Sequence, residues 1–390
     1  MEFNRDIYSH IQKGAKEYPV VTILGPRQSG KTTAVKTLFP DKPYANLEQP
    51  DVRELAIHDP RAFLNQYPQG AIIDEIQRAP ELLSYLQVVV DEHPQAGLFI
   101  LTGSQQLSLN EAITQSLAGR TDIIKLLPLS ITELTQSNVY LATDELIFKG
   151  FYPKLHAHSL NTLRFYRNYL ETYVERDVRR LLAIKDFTRF ELFLKLCAAR
   201  MGQIFNASEL SNEVGVSSHT IKDWLSVLEA SFIIFRLPPY YTNIKKRLIK
   251  SPKIYFYDTG LASYLLGIHS RHQVRRDPLY GHLFENLVVS ELMKTLFNSG
   301  QPTNLYFYRD SSQKEVDVLF EQGRQLTAIE IKSAQTFTKE FVQPLHYLKN
   351  LLHDRIQKSY LIYDGDMTQP FQGTQLLNVK DAYQTVVSFD

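Results

Sequence analysis

The sequence predicts an α/β chain in three units: a parallel-sheet α/β domain, a helical middle, and a second, smaller α/β domain at the C-terminal end. Three observations carry this reading. Apolar runs of strand length alternate with helical stretches up to about residue 135, helical spacing then takes over, and strand-like runs return after about residue 280. Strands alternating with helices imply a parallel sheet, and a parallel strand buried on both faces reads as an unbroken apolar run. A chain of 390 residues exceeds what one core supports. The expected divisions are 1–135, 136–255 and 256–390.

In the first unit, "VVTIL" (20–24) is a β-branched run ending at a glycine, and "KTTAVKTLF" reads as a helix. "AIIDE" (71–75) and "LFILTGS" (98–104) are two further strands, separated by the helical "PELLSYLQVVVDE". "DIIKLLPLS" (122–130) is expected to be the last strand.

Between the first strand and its helix lies "GPRQSGKT" (25–32), which fits G-x-x-x-x-G-K-[ST] without deviation and in the context that motif requires. Gly25 and Gly30 let the backbone wrap a phosphate, with amide N–H groups turned inward. The loop residues Pro26, Arg27, Gln28 and Ser29, and Thr33 beyond it, complete the expected nucleotide contact. Lys31 is expected to reach the β- and γ-phosphates and the Thr32 hydroxyl to bind Mg²⁺. Asp74, at the end of an apolar strand, is the second Mg²⁺ residue, and Glu75 next to it is the candidate for polarising water. Thr102 and Ser104, at the tip of the following strand, are expected near the γ-phosphate.

These three stretches in this order resemble a prokaryotic AAA+ ATPase over about residues 1–135, and "SLAGRTDIIKLLPLS" resembles the stretch just beyond. The resemblance implies a P-loop ATPase fold, ATP and Mg²⁺ as ligands, and ATP hydrolysis. It also implies an arginine supplied by a neighbouring subunit, for which Arg120 is the candidate, and hence a homo-oligomer. A plain salt-bridged arginine is the competing reading of that residue.

In the middle, Leu163, Tyr166, Leu170, Tyr173, Val174 and Leu181 recur near helical spacing. "YLETYVERDVRRLL" resembles a segment of the same AAA+ group, with Glu175, Arg176, Asp177 and Arg179 read as a salt-bridged face. Residues 206–230 read as helix, turn, helix, with the turn at Gly215 and Ser217 as N-cap. The second helix would present Ser217, Ser218, His219, Thr220 and Lys222 at the end that enters a DNA groove in such motifs. Lys245, Lys246, Arg247, Lys250 and Lys253 follow on an expected wing with Tyr240 and Tyr241, a basic 245–253 segment suited to phosphate contacts. A winged helix that only connects proteins is the other reading. Trp224, Leu225 and Cys197 are expected in the core.

The C-terminal unit begins with the helix "GHLFENLVVSELMKTLF" and continues with the strands "NLYFYR", "EVDVLFE" and "LTAIEIKS". On the last, Ile329 and Ile331 face one way and Glu330 and Lys332 the other. An edge strand bearing a solvated ion pair would explain that pairing. Glu285, Asp317, Glu330 and Lys332, however, resemble the core of a PD-(D/E)xK nuclease in residue type and order, with Val316 where proline is usual. That resemblance implies a restriction-endonuclease-like α/β fold in which Glu285, Asp317 and Glu330 bind Mg²⁺ and Lys332 positions or activates water. Oxygen ligands suit that ion, and the ion generates hydroxide.

The basic and acidic residues, 43 and 42, nearly cancel, so only local patches could hold nucleic acid. The single cysteine forms no intrachain disulfide, no signal core is visible, and no apolar run reaches the ~20 residues of a membrane span. A cytoplasmic protein without membrane contact is expected. Together the units suggest an Mg²⁺-dependent, ATP-hydrolysing AAA+ protein that binds and processes or remodels DNA. The alternative is a nucleotide-gated switch, or a DNA-binding regulator with a catalytically silent nuclease-like domain.

Overall fold

The computed structural model describes residues 3–104, 113, 115–174, 186–241 and 251–386. In the first unit, β1 (Val20–Leu24), β2 (Tyr44–Asn46), β3 (Ala71–Asp74), β4 (Phe99–Gly103) and β5 (Thr121–Lys125) form one parallel sheet in the order β2-β3-β4-β1-β5. Every residue of β1, β3 and β4 is buried, as the unbroken apolar runs require. Because β4 lies between β1 and β3, the loop after β1 and the carboxylates after β3 open on one edge of the sheet with the tip of β4 between them. Ligands of open α/β sheets bind at that carboxyl edge.

Two details depart from the sequence reading. The β5 strand stops at Lys125, and Leu126 to Leu129 continue as a buried connection into a helix, Ile131–Gln136, capped by Ser130 and Glu133. The strand β2 has only three residues and no apolar run to announce it.

The middle unit is helical. Thr162–Tyr169 is an α-helix that passes into a π-helical turn, Leu170–Val174, and the 175–179 charge cluster lies outside the described residues. The expected helix pair is Ala207–Val214 and Ser218–Ala230. Gly215 ends the first with φ +74°, where a side chain would be strained, and the Ser217 hydroxyl accepts from the Thr220 amide at 3.0 Å. Trp224 stands edge-on to Phe190 at 5.3 Å, a contact worth about 0.5–1.5 kcal/mol beyond its buried area. Cys197 is fully buried, as expected of a core residue. An antiparallel pair follows, β6 (Ile234–Leu237) with β7 (Lys253–Phe256). Lys245, Lys246, Arg247 and Lys250 lie outside the described residues. Helices Thr259–Leu265 and Arg271–Val274 then pack back on the Thr143–Lys149 helix.

The last unit is a six-stranded mixed sheet in the order β12-β13-β11-β10-β9-β8. Its strands are β8 (Leu305–Arg309), β9 (Glu315–Gln322), β10 (Gln325–Lys332), β11 (Ile356–Tyr363), β12 (Pro370–Phe371) and β13 (Thr374–Asn378). The expected hairpin is β9 and β10, antiparallel. An edge position for "LTAIEIKS" is excluded, because β10 also pairs in parallel with β11 and is buried on both faces. The 19-residue Tyr280–Asn298 helix touches β5, β7 and β10, and so ties the three units together. Among the described residues no helix is long and apolar enough to cross a membrane.

Candidate functional site

The phosphate loop closes over a cavity of about 830 Å³ lined by Arg27, Gln28, Gly30, Lys31, Thr32, Thr33 and Glu75 on one side and by Pro153, Lys154, Ala157 and His158 on the other. Phe3 and Tyr8 supply an apolar wall. The loop needs its glycines for two separate reasons. Gly30 sits at φ +97°, and a Cβ on Gly25 would stand 2.1 Å from the Leu126 carbonyl oxygen.

Lys31 is buried, with Nζ donating to the carbonyl oxygens of Gly25 at 2.9 Å and Pro26 at 2.8 Å. Burial pushes its ammonium down to about 8, with Glu75 and Asp74 opposing the shift. The Thr32 hydroxyl donates to Asp74 Oδ2 at 2.9 Å, and the Tyr44 hydroxyl donates to the same oxygen at 2.5 Å. Thr102 donates to the other carboxylate oxygen and accepts from the Glu75 amide at 3.3 Å. Glu75 holds a left-handed backbone at φ 62°, rare for a residue with a side chain and of the kind that clusters at functional sites. Burial raises its carboxyl, and Gln77 donates both to it and to Ser104, the latter at 2.9 Å.

The sequence-predicted phosphate-site residues therefore come together in one place. The Ser29 hydroxyl oxygen is buried with no hydrogen-bond partner among the described residues. The fit to a nucleotide phosphate with Mg²⁺ is good: amides and an ammonium for the phosphate, a hydroxyl and a carboxylate for the ion. Sequence reasoning missed Tyr44, Gln77 and Arg5. Arg5 reaches back from the start of the chain to donate to the Ser29 carbonyl at 2.9 Å, and no motif marks it.

Arg120 is at the other end of the sheet. Its carbonyl accepts from the amide of Val20, the first residue of β1, whereas the phosphate loop follows the last. Its guanidinium forms a two-pronged ion pair with Asp91 at 2.5 and 2.8 Å. It does not reach its own chain's phosphate loop.

A second cluster lies where the Tyr280–Asn298 helix meets β9 and β10. Glu285 accepts from the Tyr255 hydroxyl at 2.5 Å and from Lys253 Nζ at 3.1 Å. Asp317 accepts from the Ile331 amide at 2.7 Å, and Lys332 donates to Glu330 at 2.6 Å. Burial and the neighbouring Asp317 push Glu285 up to about 7 and raise Glu330 as well. The four predicted residues do gather, but among the described residues no three carboxylate, histidine or cysteine groups converge as a metal-ligand set. Lys253 departs from the expectation of a DNA-facing wing. It is 2% exposed and turned inward to Glu285 and Glu315, because two carboxylates offer a buried ammonium what solvent otherwise would.

On the helix pair, His219 is exposed and its Nδ1 lies 2.8 Å from an Asp223 carboxylate oxygen, while Ser217 is used as cap. Tyr240 is buried.

Residues 17–135 match a family model described as an AAA domain. Residues 141–272 and 280–382 match two models described as domains of unknown function (DUF8612 and DUF4143). The chain is similar to an uncharacterized protein of Mycobacterium tuberculosis, with 29% identity over 99% of this chain and 86% of the relative. It is also similar to an uncharacterized protein of Haemophilus influenzae, with 23% identity over 68% of this chain and 65% of the relative. Among solved structures it is similar to the Walker-type ATPase of Pyrococcus abyssi, with 15% identity, 68% of this chain and 96% of that one covered, and a TM-score of 0.47. The N-terminal unit is an AAA-like P-loop ATPase domain.

Proposed function

We propose that this chain hydrolyses ATP with Mg²⁺ at the phosphate loop and couples that cycle to DNA. The observation that carries the first half is the meeting of Thr32, Asp74 and Lys31 at the carboxyl edge of one parallel sheet, with Thr32 and Asp74 joined at 2.9 Å. Thr32 and Asp74 would hold the ion, which neutralises charge on the transferring phosphoryl group. Lys31 exchanges two carbonyl acceptors for phosphate oxygens, which favour its charged form against the effect of burial. Glu75, its carboxyl raised and fixed by Gln77, orients water and accepts its proton. Thr102 holds Asp74 and the Glu75 backbone in register, and Ser104 anchors Gln77. In an oligomer, Arg120 would leave Asp91 to complete a neighbour's site.

For DNA, what supports the reading is the exposed first turn of the Ser218–Ala230 helix, where Ser218, His219 and Lys222 face solvent. The test is duplex binding at several salt concentrations. Affinity should fall as salt rises, and Lys222→Ala should flatten that dependence by about one phosphate contact. Binding that ignores salt would overturn it.

One observation favours the second reading, a nucleotide-gated switch whose nuclease-like domain does not cut. Each carboxylate of the Glu285, Asp317 and Glu330 set already has a donor from the chain itself. Gel assays in Mg²⁺ separate the two readings: cleavage lost in Lys332→Ala would restore a nuclease.

A further inference from the structure

The cluster around Glu285 holds more carboxylates than the nuclease comparison requires and one cation that it does not. Glu285 comes from the Tyr280–Asn298 helix, Glu315 and Asp317 from β9, and Glu330 from β10. Facing them is Lys253, the first residue of β7 and therefore part of the middle unit. Its ammonium lies 2.6 Å from Glu315 Oε1 and 3.1 Å from Glu285 Oε1. It also stands 5.5 Å from the centre of the Phe307 ring, whose face attracts cations. With 2% of the residue exposed, no water shell substitutes for these partners.

The rest of the cluster is arranged the same way. Lys332 lies 2.6 Å from Glu330 Oε1, and Arg309 lies 3.6 Å from the second oxygen of Glu315. Two polar atoms are left over: Glu330 Oε2 and His282 Nδ1, the latter 4.0 Å from Glu285 Oε2, are buried and have no hydrogen-bond partner among the described residues. A buried carboxylate oxygen in that state calls for an explanation. Yet with Lys253 among them the oxygens do not converge on a common point as ligands of a small, hard divalent ion must.

We propose that Lys253 is the built-in cation of this site: its ammonium, delivered from the middle unit, stands where a divalent metal would neutralise the carboxylates, and the wild-type site takes no metal ion. An ammonium has no Lewis acidity and cannot bind the water that a metal ion would activate. The domain then keeps the residue pattern of a metal site and uses it as a charged clasp. The clasp fastens β7 of the middle unit to the C-terminal sheet and helix. This inference does not depend on ATP hydrolysis.

The experiment is Mn²⁺ binding to the full chain without nucleotide, followed by electron paramagnetic resonance and by calorimetry, in wild type, Lys253→Met and Lys253→Met/Glu285→Gln. The expected result is no cluster-dependent Mn²⁺ in wild type, about one ion bound by Lys253→Met, and its loss in the double variant. Lys253→Gln, which keeps a polar group against the carboxylates, serves if the methionine variant does not fold. An ion bound by wild type and lost in Glu285→Gln overturns the proposal. So does a folded Lys253→Met and a folded Lys253→Gln that bind no ion, since the ammonium would then not occupy a cation position.

Discussion

Arg5 and Glu133 form a buried ion pair, Nε to Oε1 at 3.0 Å, with side chains 5% and 0% exposed. The same guanidinium donates to the Ser29 carbonyl in the phosphate loop at 2.9 Å and to the Leu127 carbonyl at 2.7 Å. Glu133 in turn accepts from the amides of Asp6 and Ser130, each at 2.9 Å. From there the Ile131 amide donates to Glu291 on the Tyr280–Asn298 helix at 2.7 Å. The phosphate loop is thus fixed, through buried polar contacts, to the helix that carries Glu285 nearly two turns earlier.

Removing one member of that pair leaves the other charge buried and unpaired, which costs about 3–5 kcal/mol. Arg5→Met is expected to lower the unfolding free energy by that amount and to weaken nucleotide binding tenfold or more. The Arg5→Met/Glu133→Leu double variant should recover only part of the stability, since the Asp6 and Ser130 amides lose their acceptor, and none of the affinity, since no group then holds Ser29. Denaturant titration and nucleotide calorimetry on wild type and the two variants check both.

Lys31 and Glu75 should fail differently. Lys31→Ala removes the phosphate cation and should weaken ATP binding and abolish turnover. Glu75→Gln should leave binding within a few-fold and reduce turnover at least ~10²-fold, as loss of a general base does. Filter binding of radiolabelled ATP alongside phosphate release separates the two. A Glu75→Gln enzyme with wild-type turnover would remove Glu75 from the mechanism.

These residues were legible in the sequence because the chemistry fixes both residue type and spacing within one short loop and one strand end. Arg5 and Tyr44 were not, because each reaches the site through tertiary contacts that no local pattern records, and Gln77, though only two residues from Glu75, belongs to no motif. The same holds for β11, which supplies the partner that buries β10, and for Lys253, whose neighbours Lys250 and Arg247 made it read as one of a basic surface run. The helix pair at 207–230 was legible down to its cap, since Gly215 and Ser217 are local signals.

His156, on the Pro153–Ala157 helix beside the nucleotide cavity, predicts an acid limit to stability. Its Nε2 lies 2.8 Å from the Gly150 carbonyl, and Nδ1 is buried without a hydrogen-bond partner among the described residues. Burial pushes the imidazole down to about 4. The unfolded chain therefore binds a proton below about pH 6.5 that the folded chain refuses until about pH 4. The contribution is fully present above pH 6.5 and is lost as pH falls to 4. His156→Gln, which can still donate to Gly150, should flatten the fall in unfolding free energy between those values, by at most a few kcal/mol. An unchanged pH profile would contradict it.

Gly150 itself is irreplaceable by geometry. It has φ +67°, and a Cβ there would stand 2.2 Å from the Tyr166 hydroxyl and 2.6 Å from Asp258 Oδ1. Those groups are buried and bonded to each other at 2.7 Å, so neither can yield cheaply. Gly150→Ala is expected to cost about 3 kcal/mol or more, from strain plus overpacking, read as a lowered melting temperature. A loss below 1 kcal/mol would show that the Asp258 network can open.

The central claim is tested most directly by steady-state phosphate release from ATP in Mg²⁺, comparing wild type with Lys31→Ala, each with and without duplex DNA. Turnover by wild type, stimulation by DNA, and no turnover by Lys31→Ala under either condition are expected. Equal turnover by Lys31→Ala would contradict the assignment of hydrolysis to the phosphate loop.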